Sequence, residues 1–364
     1  MGRRLLIYGA TGFTGRLVAE RARAMGLDVV LAGRDPARLR ALAGPLDLPW
    51  RAAALDDSAA LDAALAGMRA VLHVAGPYAE TARPMLDACL RSRVHYLDLS
   101  GELPVYLDIA GADAAAQQAG VMLLPGAGFV VAASDCLAAH LAARMPGARR
   151  LSIALSRPDL FSRGTVRAMF GLVREGVSIR RDGRLTAVRV GRLERPFDFG
   201  AGPSLSTAVS WADVLTAHRT TGIPDITVYA EADGLARLAY QSGAWLSLPL
   251  RSALARRLLA RQARLWPEGP SAHRRGAARR VIVAELEDAW QQRISARLHT
   301  PDGYDLTPPI ALAIARRVLA GEHRPGLQTP AGLFGPGLVL ALDGVGLEDV
   351  PAGPRRSLDP SGAT

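Results

Sequence analysis

Three glycines lie three residues apart near the N-terminus, in the stretch LIYGATGFTG. An apolar run typical of a strand precedes them, and an amphipathic run typical of a helix follows. In this context glycines allow a tight turn and let a pyrophosphate approach the N-terminus of the helix. The stretch predicts a dinucleotide-binding turn, with a bare strand-to-helix turn as the alternative. The predicted cofactor contacts here are Gly9, Thr11, Gly12, Phe13, Thr14 and Gly15.

The second predicted strand, LDVVLAG, ends at Gly33 and Arg34 instead of at a carboxylate. A carboxylate there would bind a ribose 2′-hydroxyl and repel a 2′-phosphate, whereas arginine offers a planar fork to phosphate. The cofactor is therefore predicted to be NADP(H) in preference to NAD(H). Alternatively, Arg34 is a surface charge at the start of a helix that Asp35 caps. Asp56, after the third strand, accepts from the adenine amino group or caps the next helix.

The fourth predicted strand is followed by VAGPYAETA. Ligands of parallel sheets lie beyond the carboxyl ends of the strands. Ala75, Gly76 and Pro77 are therefore predicted to line the nicotinamide ribose. Tyr78 is either a proton donor or a packed core tyrosine.

The chain contains no lysine, which excludes Schiff-base chemistry, a phosphate-binding Walker lysine and a tyrosine–lysine proton relay. Other candidate proton sources are Tyr96, Asp98, Glu102, Asp135 and a water polarised by arginine. Asp98 and Glu102 alternatively form a loop network that caps the following helix, and Asp135 caps a helix beginning near Ser134. The residues assigned to catalysis are Tyr78, Asp135 and Arg163, the last because Arg163 and Thr165 in SRGT suit a carboxylate or phosphopantetheine group.

The composition is that of a globular protein: 364 residues, 49% hydrophobic and 21% charged. The net charge of +10 comes entirely from arginine, which indicates either an anionic partner or a GC-rich genome. Aromatic residues are 5% of the chain, and nucleic-acid binding is not expected. The two cysteines, the scattered histidines and the lack of a long apolar run predict a cytoplasmic protein without disulfides, zinc or a transmembrane helix.

Short apolar runs alternate with helical patterns up to residue 124, which predicts a doubly wound parallel sheet. Beyond Gly128 the strands follow one another with few helices between them. The predicted fold is α/β, with an N-terminal Rossmann-type domain over residues 1–128. A second α/β domain with a mixed or antiparallel sheet spans residues 129–345, and residues 346–364 are expected to be a disordered tail.

Together these stretches resemble the saccharopine dehydrogenase-like oxidoreductases. The resemblance is carried by IYGATGFTGRLVAE, LAGRDPARL, VAGPYAETARPMLDACL, VHYLDLSGE, PGAGFVVAASDCLA and TPDGYDLT. Within that family the chain looks closest to the bacterial branch of trans-acting enoyl reductases. The resemblance implies a nicotinamide-dependent reductase whose substrate lies between its two domains. Val130 and Ala133 depart from the family pattern, which has an aspartate and a proline there.

The expected function is reduction of a C=C or C=N bond in a small or lipid-linked substrate. The alternatives are a non-catalytic dinucleotide-binding protein and a membrane-peripheral one. The membrane alternative depends on residues 250–266, where leucines at helical spacing alternate with arginines. An ordinary packed helix explains the same pattern. The oligomeric state is not predicted.

Overall fold

A parallel seven-stranded sheet is built mainly from the N-terminal part of the chain in the computed structural model, which describes residues 4–157, 176–232 and 269–350. Its strands are β1 (Arg4–Tyr8), β2 (Val29–Gly33), β3 (Trp50–Ala52), β4 (Met68–His73), β5 (His95–Asp98), β6 (Met122–Leu124) and β15 (Gly326–Leu327). Their order is β15-β6-β5-β4-β1-β2-β3. The strand order reverses between β1 and β4, and in sheets of this kind that crevice is where ligands bind.

Helices cover both faces of this sheet. They are α1 (Phe13–Ala24), α2 (Pro36–Leu46), α3 (Ser58–Leu65), α4 (Tyr78–Ser92), α5 (Leu103–Gly111) and α6 (Asp113–Ala119). In β1, Leu5 and Ile7 enter one apolar core, while Leu6 and Tyr8 enter the other. Burial on both faces is why the strands are continuous apolar runs and not alternating ones.

A second, mixed sheet of nine strands follows. Its strands are β7 (Arg150–Leu155), β8 (Val177–Arg181), β9 (Arg184–Val188), β10 (Glu194–Asp198), β11 (Pro203–Ala208), β12 (Asp225–Glu231), β13 (Arg279–Glu287), β14 (Arg293–Pro301) and β16 (Gly346–Val350). β7 and β12 are parallel neighbours, and the other pairs are antiparallel. Asp182 and Gly183 close the β8–β9 hairpin, both with positive φ, as a two-residue turn requires.

Six helices belong to this later part of the described chain: α7 (Phe129–Arg144), α8 (Asp213–Thr221), α9 (Ala272–Ala277), α10 (Gly303–Leu319), α11 (Pro330–Phe334) and α12 (Gly337–Leu340). Helices α7 and α10 contribute to one apolar core that reaches both sheets. The chain then returns to the first sheet, because β15 pairs with β6. Residues assigned from the sequence to the second domain therefore complete the first sheet.

The expected disordered tail is wrong for its first five residues. Gly346–Val350 form strand β16, paired antiparallel with β14. Arg297 bonds to Glu348 at 3.0 Å, and Arg144 forms an ion pair with Asp349. Because β16 is a polar edge strand, its sequence lacks the apolar run that predicts a strand. The cross-strand pairs stabilise β16 against β14.

Candidate functional site

The glycine turn joins β1 to α1 at the point where the sheet order reverses. Gly9 has φ +87°, and its N–H donates to the Ala32 carbonyl at 2.8 Å. A Cβ on Gly9 would lie 2.7–2.9 Å from atoms of Ala75, and a Cβ on Gly15 would lie 2.2 Å from the Gly9 carbonyl oxygen. Both positions therefore exclude a side chain. Gly12 is more open, with the Gly9 oxygen at 3.3 Å from such a Cβ.

The helices that follow the strands of this sheet begin in two different ways. Asp35 and Asp57 cap α2 and α3 with their carboxylates. The helices after the four central strands, α1, α4, α5 and α7, have no side-chain hydrogen bond at their N-caps. A helix N-terminus carries unpaired N–H groups and partial positive charge. Helix α1 follows the glycine turn directly, so its N-terminus fits the pyrophosphate of a dinucleotide, whereas the first N–H of α7 already donates to the Thr307 hydroxyl at 3.2 Å.

The end of β2 places two arginines beside the glycine turn. Arg34 is exposed, and Arg38 donates from Nη2 to the Thr11 carbonyl at 3.2 Å. Asp35 accepts from the N–H groups of Ala37 and Arg38, which confirms its predicted capping role. Arg38 was not predicted, and its only signal in the sequence is a second arginine in the first turn of α2.

Tyr8 lies between the end of β2 and the end of β3. Its hydroxyl donates to the Ala53 carbonyl at 3.0 Å, and burial raises its pKa to about 12. Arg34 and Asp56 both act on this hydroxyl electrostatically, Arg34 lowering and Asp56 raising its pKa. Arg34 and Asp56 therefore both lie within electrostatic range of the Tyr8 hydroxyl. Asp57, and not Asp56, caps the next helix, so the capping alternative for Asp56 is wrong.

Phe13 turns its side chain toward the second part of the chain. Its ring meets Tyr304 edge-on at 5.3 Å, and the Arg275 guanidinium lies 5.5 Å from its centre. Arg275 is held by Asp305 at 2.6 Å. Only the backbone of Phe13, in the first turn of α1, is therefore placed to meet a phosphate.

The β4–α4 connection forms the other wall of the crevice. Thr81 donates to the Ala75 carbonyl at 2.5 Å and fixes the segment of Ala75, Gly76 and Pro77. Tyr78 packs edge-on against His73, and burial raises the pKa of its phenol well above 10. His73 is fully buried, which lowers its pKa to about 3 and keeps its ring neutral.

The end of β5 carries two carboxyl groups in different environments. Asp98 is buried and accepts from Tyr96, from the N–H and hydroxyl of Ser100, and from Gly126, at 2.7–3.0 Å. Burial raises its pKa against these donors. A loop network therefore surrounds Asp98, but its predicted capping of the next helix is wrong, because α5 has no side-chain hydrogen bond at its N-cap.

Glu102 is half-buried and accepts from the Gly101 N–H at 3.0 Å. Burial raises its pKa also. Trp211 covers Gly101 from the second part of the chain, and the Ala212 N–H donates to the Gly101 carbonyl at 3.0 Å. Within the described residues the buried indole N–H of Trp211 has no acceptor. Sequence reasoning missed Trp211, because nothing local links it to β5.

Asp135 does not lie at a helix start, since α7 begins at Phe129, and the capping alternative is wrong. It is fully buried and accepts from the Thr220 hydroxyl at 2.7 Å and the Ala331 N–H at 2.8 Å. Asp213 is buried nearby and accepts from Ser134. Burial raises the pKa of both acids to about 7. These bonds join α7 to α8 and α11, two turns along α7 from the crevice.

This buried pair predicts a pH dependence of stability. Because the folded pKa of Asp135 is above its unfolded value of 3.8, the folded state binds more protons between pH 4 and pH 7. Its contribution to stability is full below pH 4 and falls as the pH rises to 7, by up to about 1.4 kcal/mol per pH unit. Asp135→Asn, a neutral isostere, is expected to flatten this slope in urea unfolding at pH 4.5 and 7. An unchanged slope in the variant would contradict a raised pKa.

Some predicted features lie outside the described residues, namely Arg163, Thr165 and the basic segment 250–266. Cys136 is fully buried in the core, as predicted. Val130 and Ala133, which depart from the family pattern, lie in the first turns of α7, with Ala133 fully buried.

Residues 4–157, 176–232 and 269–350 were compared with the requirements of a membrane span and of a metal site, and they meet neither. Over these ranges no helix combines the length and hydropathy that a membrane span needs. The same ranges contain no cluster of three or more His, Cys, Asp or Glu side chains placed to bind a metal ion.

Comparison with known proteins identifies the type of domain to which most of the first sheet belongs. Residues 5–124 match the family model described as the saccharopine dehydrogenase NADP binding domain. A trans-acting enoyl reductase of Mycobacterium leprae is 36% identical over 132 residues, which are 34% of this chain and 32% of the relative. The chain thus spans about a third of that relative's length. The resemblance to saccharopine dehydrogenase-like proteins is confirmed, and residues 5–124 are an NADP-binding domain of that type.

Solved structures share the whole fold. Saccharopine dehydrogenase (L-Glu forming) from Saccharomyces cerevisiae superposes with a TM-score of 0.66 at 16% identity, covering 96% of this chain and all of that one. Homospermidine synthase from Legionella pneumophila, in complex with NAD, gives 0.60 at 8% identity, covering 99% and 95%. At these identities the likeness shows the fold alone. It confirms the predicted Rossmann-type sheet with a second, mixed sheet.

Proposed function

We propose, from the premise that residues 5–124 are a saccharopine dehydrogenase-type NADP-binding domain, that this chain is an NADP(H)-dependent oxidoreductase that reduces a C=C or C=N bond. The observation that carries the proposal is the glycine turn at the uncapped N-terminus of α1, beside Arg38 and the exposed Arg34. Gly9 and Gly15 pack tightly on Ala75 and on the Gly9 carbonyl, and the more open Gly12 leaves room for a pyrophosphate to approach the backbone. The two arginines supply the positive charge that a 2′-phosphate needs.

We assign the predicted site residues to different parts of the bound cofactor. We assign the pyrophosphate to the backbone of the turn over residues 9–15 and the 2′-phosphate to Arg34, with Arg38 supporting it. We assign Gly33 and Asp56 to contacts with the adenosine. Ala75, Gly76 and Pro77 fall to the nicotinamide ribose. A bound NADPH supplies the hydride; the chain's own residues orient it and deliver the proton.

For the proton we favour Glu102 over Tyr78 and Asp135. Glu102 is half-buried after the end of β5, and burial raises its pKa, which favours the protonated form that a general acid needs. The Tyr78 phenol, with a pKa well above 10, releases a proton much less readily. Asp135 is enclosed by Thr220 and Ala331. We further propose that the indole N–H of Trp211, which has no acceptor among the described residues, donates to a polar substrate group beside Glu102.

The substrate class follows from the relatives. A trans-acting enoyl reductase by name reduces an enoyl group, so we favour an α,β-unsaturated thioester of a small or lipid-linked acid. In that reaction the hydride adds to the β-carbon and a proton adds to the α-carbon. Membrane contact through residues 250–266 is a separate proposal, tested by sedimentation with anionic vesicles at low and high salt.

The direct test follows NADPH absorbance with trans-2-enoyl-CoA thioesters of increasing chain length, and separately follows NADP+ with saccharopine. Steady NADPH consumption with an enoyl thioester supports the proposal. Turnover of saccharopine instead would replace the substrate class. NADPH binding without turnover in either assay would favour a non-catalytic dinucleotide-binding protein.

Replacement of Glu102 by glutamine is expected to lower kcat by about 10²- to 10⁴-fold, the usual share of general acid catalysis. The Kd for NADPH should not change, because Glu102 lies outside the assigned cofactor contacts. Wild-type kcat should fall as the pH rises through the raised pKa of Glu102, and this limb should vanish in Glu102→Gln.

The control is Glu20→Gln, on the exposed side of α1. It makes the same chemical change away from the crevice and should leave kcat as in the wild type. An unchanged kcat in Glu102→Gln would remove Glu102 from the proton path.

A further inference from the structure

A cavity of about 390 Å³ lies at the outer edge of the parallel sheet, beside β15. Tyr106, Arg180, Leu215, Thr216, Arg219 and Leu327 are among the residues that line it. None of the residues assigned to the dinucleotide does so. Because β15 stands four strands from β1 in the sheet order, about 19 Å separate the two strands at 4.8 Å per step. The cavity is therefore a different place from the glycine turn.

Arg180 brings an uncompensated charge to this cavity. Its Nε donates to the Val214 carbonyl at 2.7 Å, and its Nη1 donates to the Gly183 carbonyl. Across the described ranges no carboxylate forms an ion pair with it. The guanidinium is partly buried, and desolvation lowers its pKa. A partly buried cation held only by neutral carbonyls is short of a counterion.

Thr216 adds an unused hydrogen-bonding group. Its side chain is fully buried and lines the cavity, yet its hydroxyl has no partner in the described part of the chain. Leaving such a group unsatisfied costs about 1–3 kcal/mol. Arg219 stands half-exposed at the same cavity, with its Nη2 3.9 Å from an Asp113 oxygen. That is a long ion pair, and it leaves donors of Arg219 available.

Two further polar residues of the lining, His218 and Thr329, already have partners: His218 Nδ1 lies 2.8 Å from the Ile223 carbonyl oxygen, and the Thr329 hydroxyl is hydrogen-bonded to Thr220 and to the Gly332 N–H. The remaining lining is apolar. The ring of Tyr106 and the side chains of Leu215 and Leu327 complete the walls, and the Tyr106 hydroxyl is already bonded to the Pro125 carbonyl at 2.9 Å. A ligand complementary to both the arginines and the apolar walls carries an anionic oxygen group at one end and a compact apolar body at the other. We propose that this cavity binds a small oxyanion-bearing molecule, a carboxylate or a phosphate, independently of the dinucleotide.

The test titrates the full chain with sodium benzoate and with inorganic phosphate in chloride buffer of constant ionic strength. Calorimetry and thermal unfolding are recorded with and without saturating NADPH. We expect saturable binding of at least one probe at millimolar Kd, as suits a small ligand, and a rise in Tm. Benzoate alone would identify a carboxylate site, and phosphate alone a phosphate site. Saturable binding of neither probe would overturn the proposal.

Thr216→Val is the sharpest variant, because it removes a hydroxyl that has no partner among the described residues. It should weaken probe binding about tenfold, the value of a hydrogen bond to a charged group, without lowering Tm. The matched control is Thr207→Val, since the buried hydroxyl of Thr207 also lacks a partner in the part of the chain that the structure describes, but Thr207 does not line the cavity. Equal probe affinity in both variants would overturn the assignment of this cavity.

Arg180→Gln should abolish probe binding, and Arg180→Lys should retain part of it. Loss of the two carbonyl bonds can itself destabilise the chain, so binding is compared only among variants with a cooperative unfolding transition. NADPH should leave probe affinity unchanged. If NADPH displaces the probe, the anion occupies the dinucleotide site and the proposal fails, while the proposed oxidoreductase function stands.

Discussion

Arg34→Glu is expected to weaken NADPH binding by about 100-fold, a loss of about 2.7 kcal/mol. NADH binding should change little. Arg34 is exposed at the end of β2, within electrostatic range of the Tyr8 hydroxyl. A fork-like pair of bonds to a 2′-phosphate is lost in the variant, and a carboxylate now repels that phosphate. The same carboxylate accepts from the free 2′-hydroxyl of NADH. Calorimetric titration of both cofactors measures the change in preference.

The matched control is Arg40→Glu, the same charge reversal on helix α2, which begins two residues after Arg34. Arg40 is exposed and lies over the Trp50 ring at 5.8 Å, away from the glycine turn. It should weaken NADPH binding only slightly, through the long-range field. Arg38→Glu should give an intermediate loss, because Arg38 also bonds to Thr11 of the turn. If Arg34→Glu and Arg40→Glu weaken NADPH equally, Arg34 does not bind the 2′-phosphate.

The glycine turn was predictable because the residues that form it are close together in the sequence. A strand, a glycine turn and a helix lie in one short stretch, and the alternation around them indicates parallel strands whose ends meet at one edge. The residues at the ends of β1, β2 and β4 could therefore be grouped before any coordinates were known. Arg38 was missed because its role depends on how α2 is turned toward the glycine loop.

Features decided by distant contacts were not predictable. Helix α7 is buried along most of its length, so no polar face marks its start at Phe129. The sequence predicted a helix start near Ser134, whereas Asp135 lies six residues after Phe129, inside the helix. Strand β15 has two residues, too few to show any period, and forms because β6 offers a free edge. Trp211 reaches Gly101 only through the packing of the two parts of the chain.

The three glycines of the turn are expected to respond differently to alanine. Gly9→Ala places a Cβ 2.7–2.9 Å from Ala75 on a backbone with φ +87°, and Gly15→Ala places one 2.2 Å from the Gly9 carbonyl oxygen. Backbone must move in both cases, so each variant should lose about 2–4 kcal/mol of stability and bind no NADPH. Gly12→Ala meets only the Gly9 oxygen at 3.3 Å and should cost about 1 kcal/mol or less. Urea unfolding and NADPH titration measure the two effects.

Gly12→Ala separates the two explanations of the turn. As a dinucleotide cradle, the second glycine admits the pyrophosphate, so its Cβ should weaken NADPH binding about tenfold or more in a chain that still folds. Gly120→Ala is the control for backbone conformation alone, since Gly120 has φ +68° with open space around its Cβ position. That variant should lose about 1 kcal/mol of stability and keep NADPH affinity. A stable Gly12→Ala variant with wild-type NADPH affinity would mean that the glycines serve only the packing of α1 on β1.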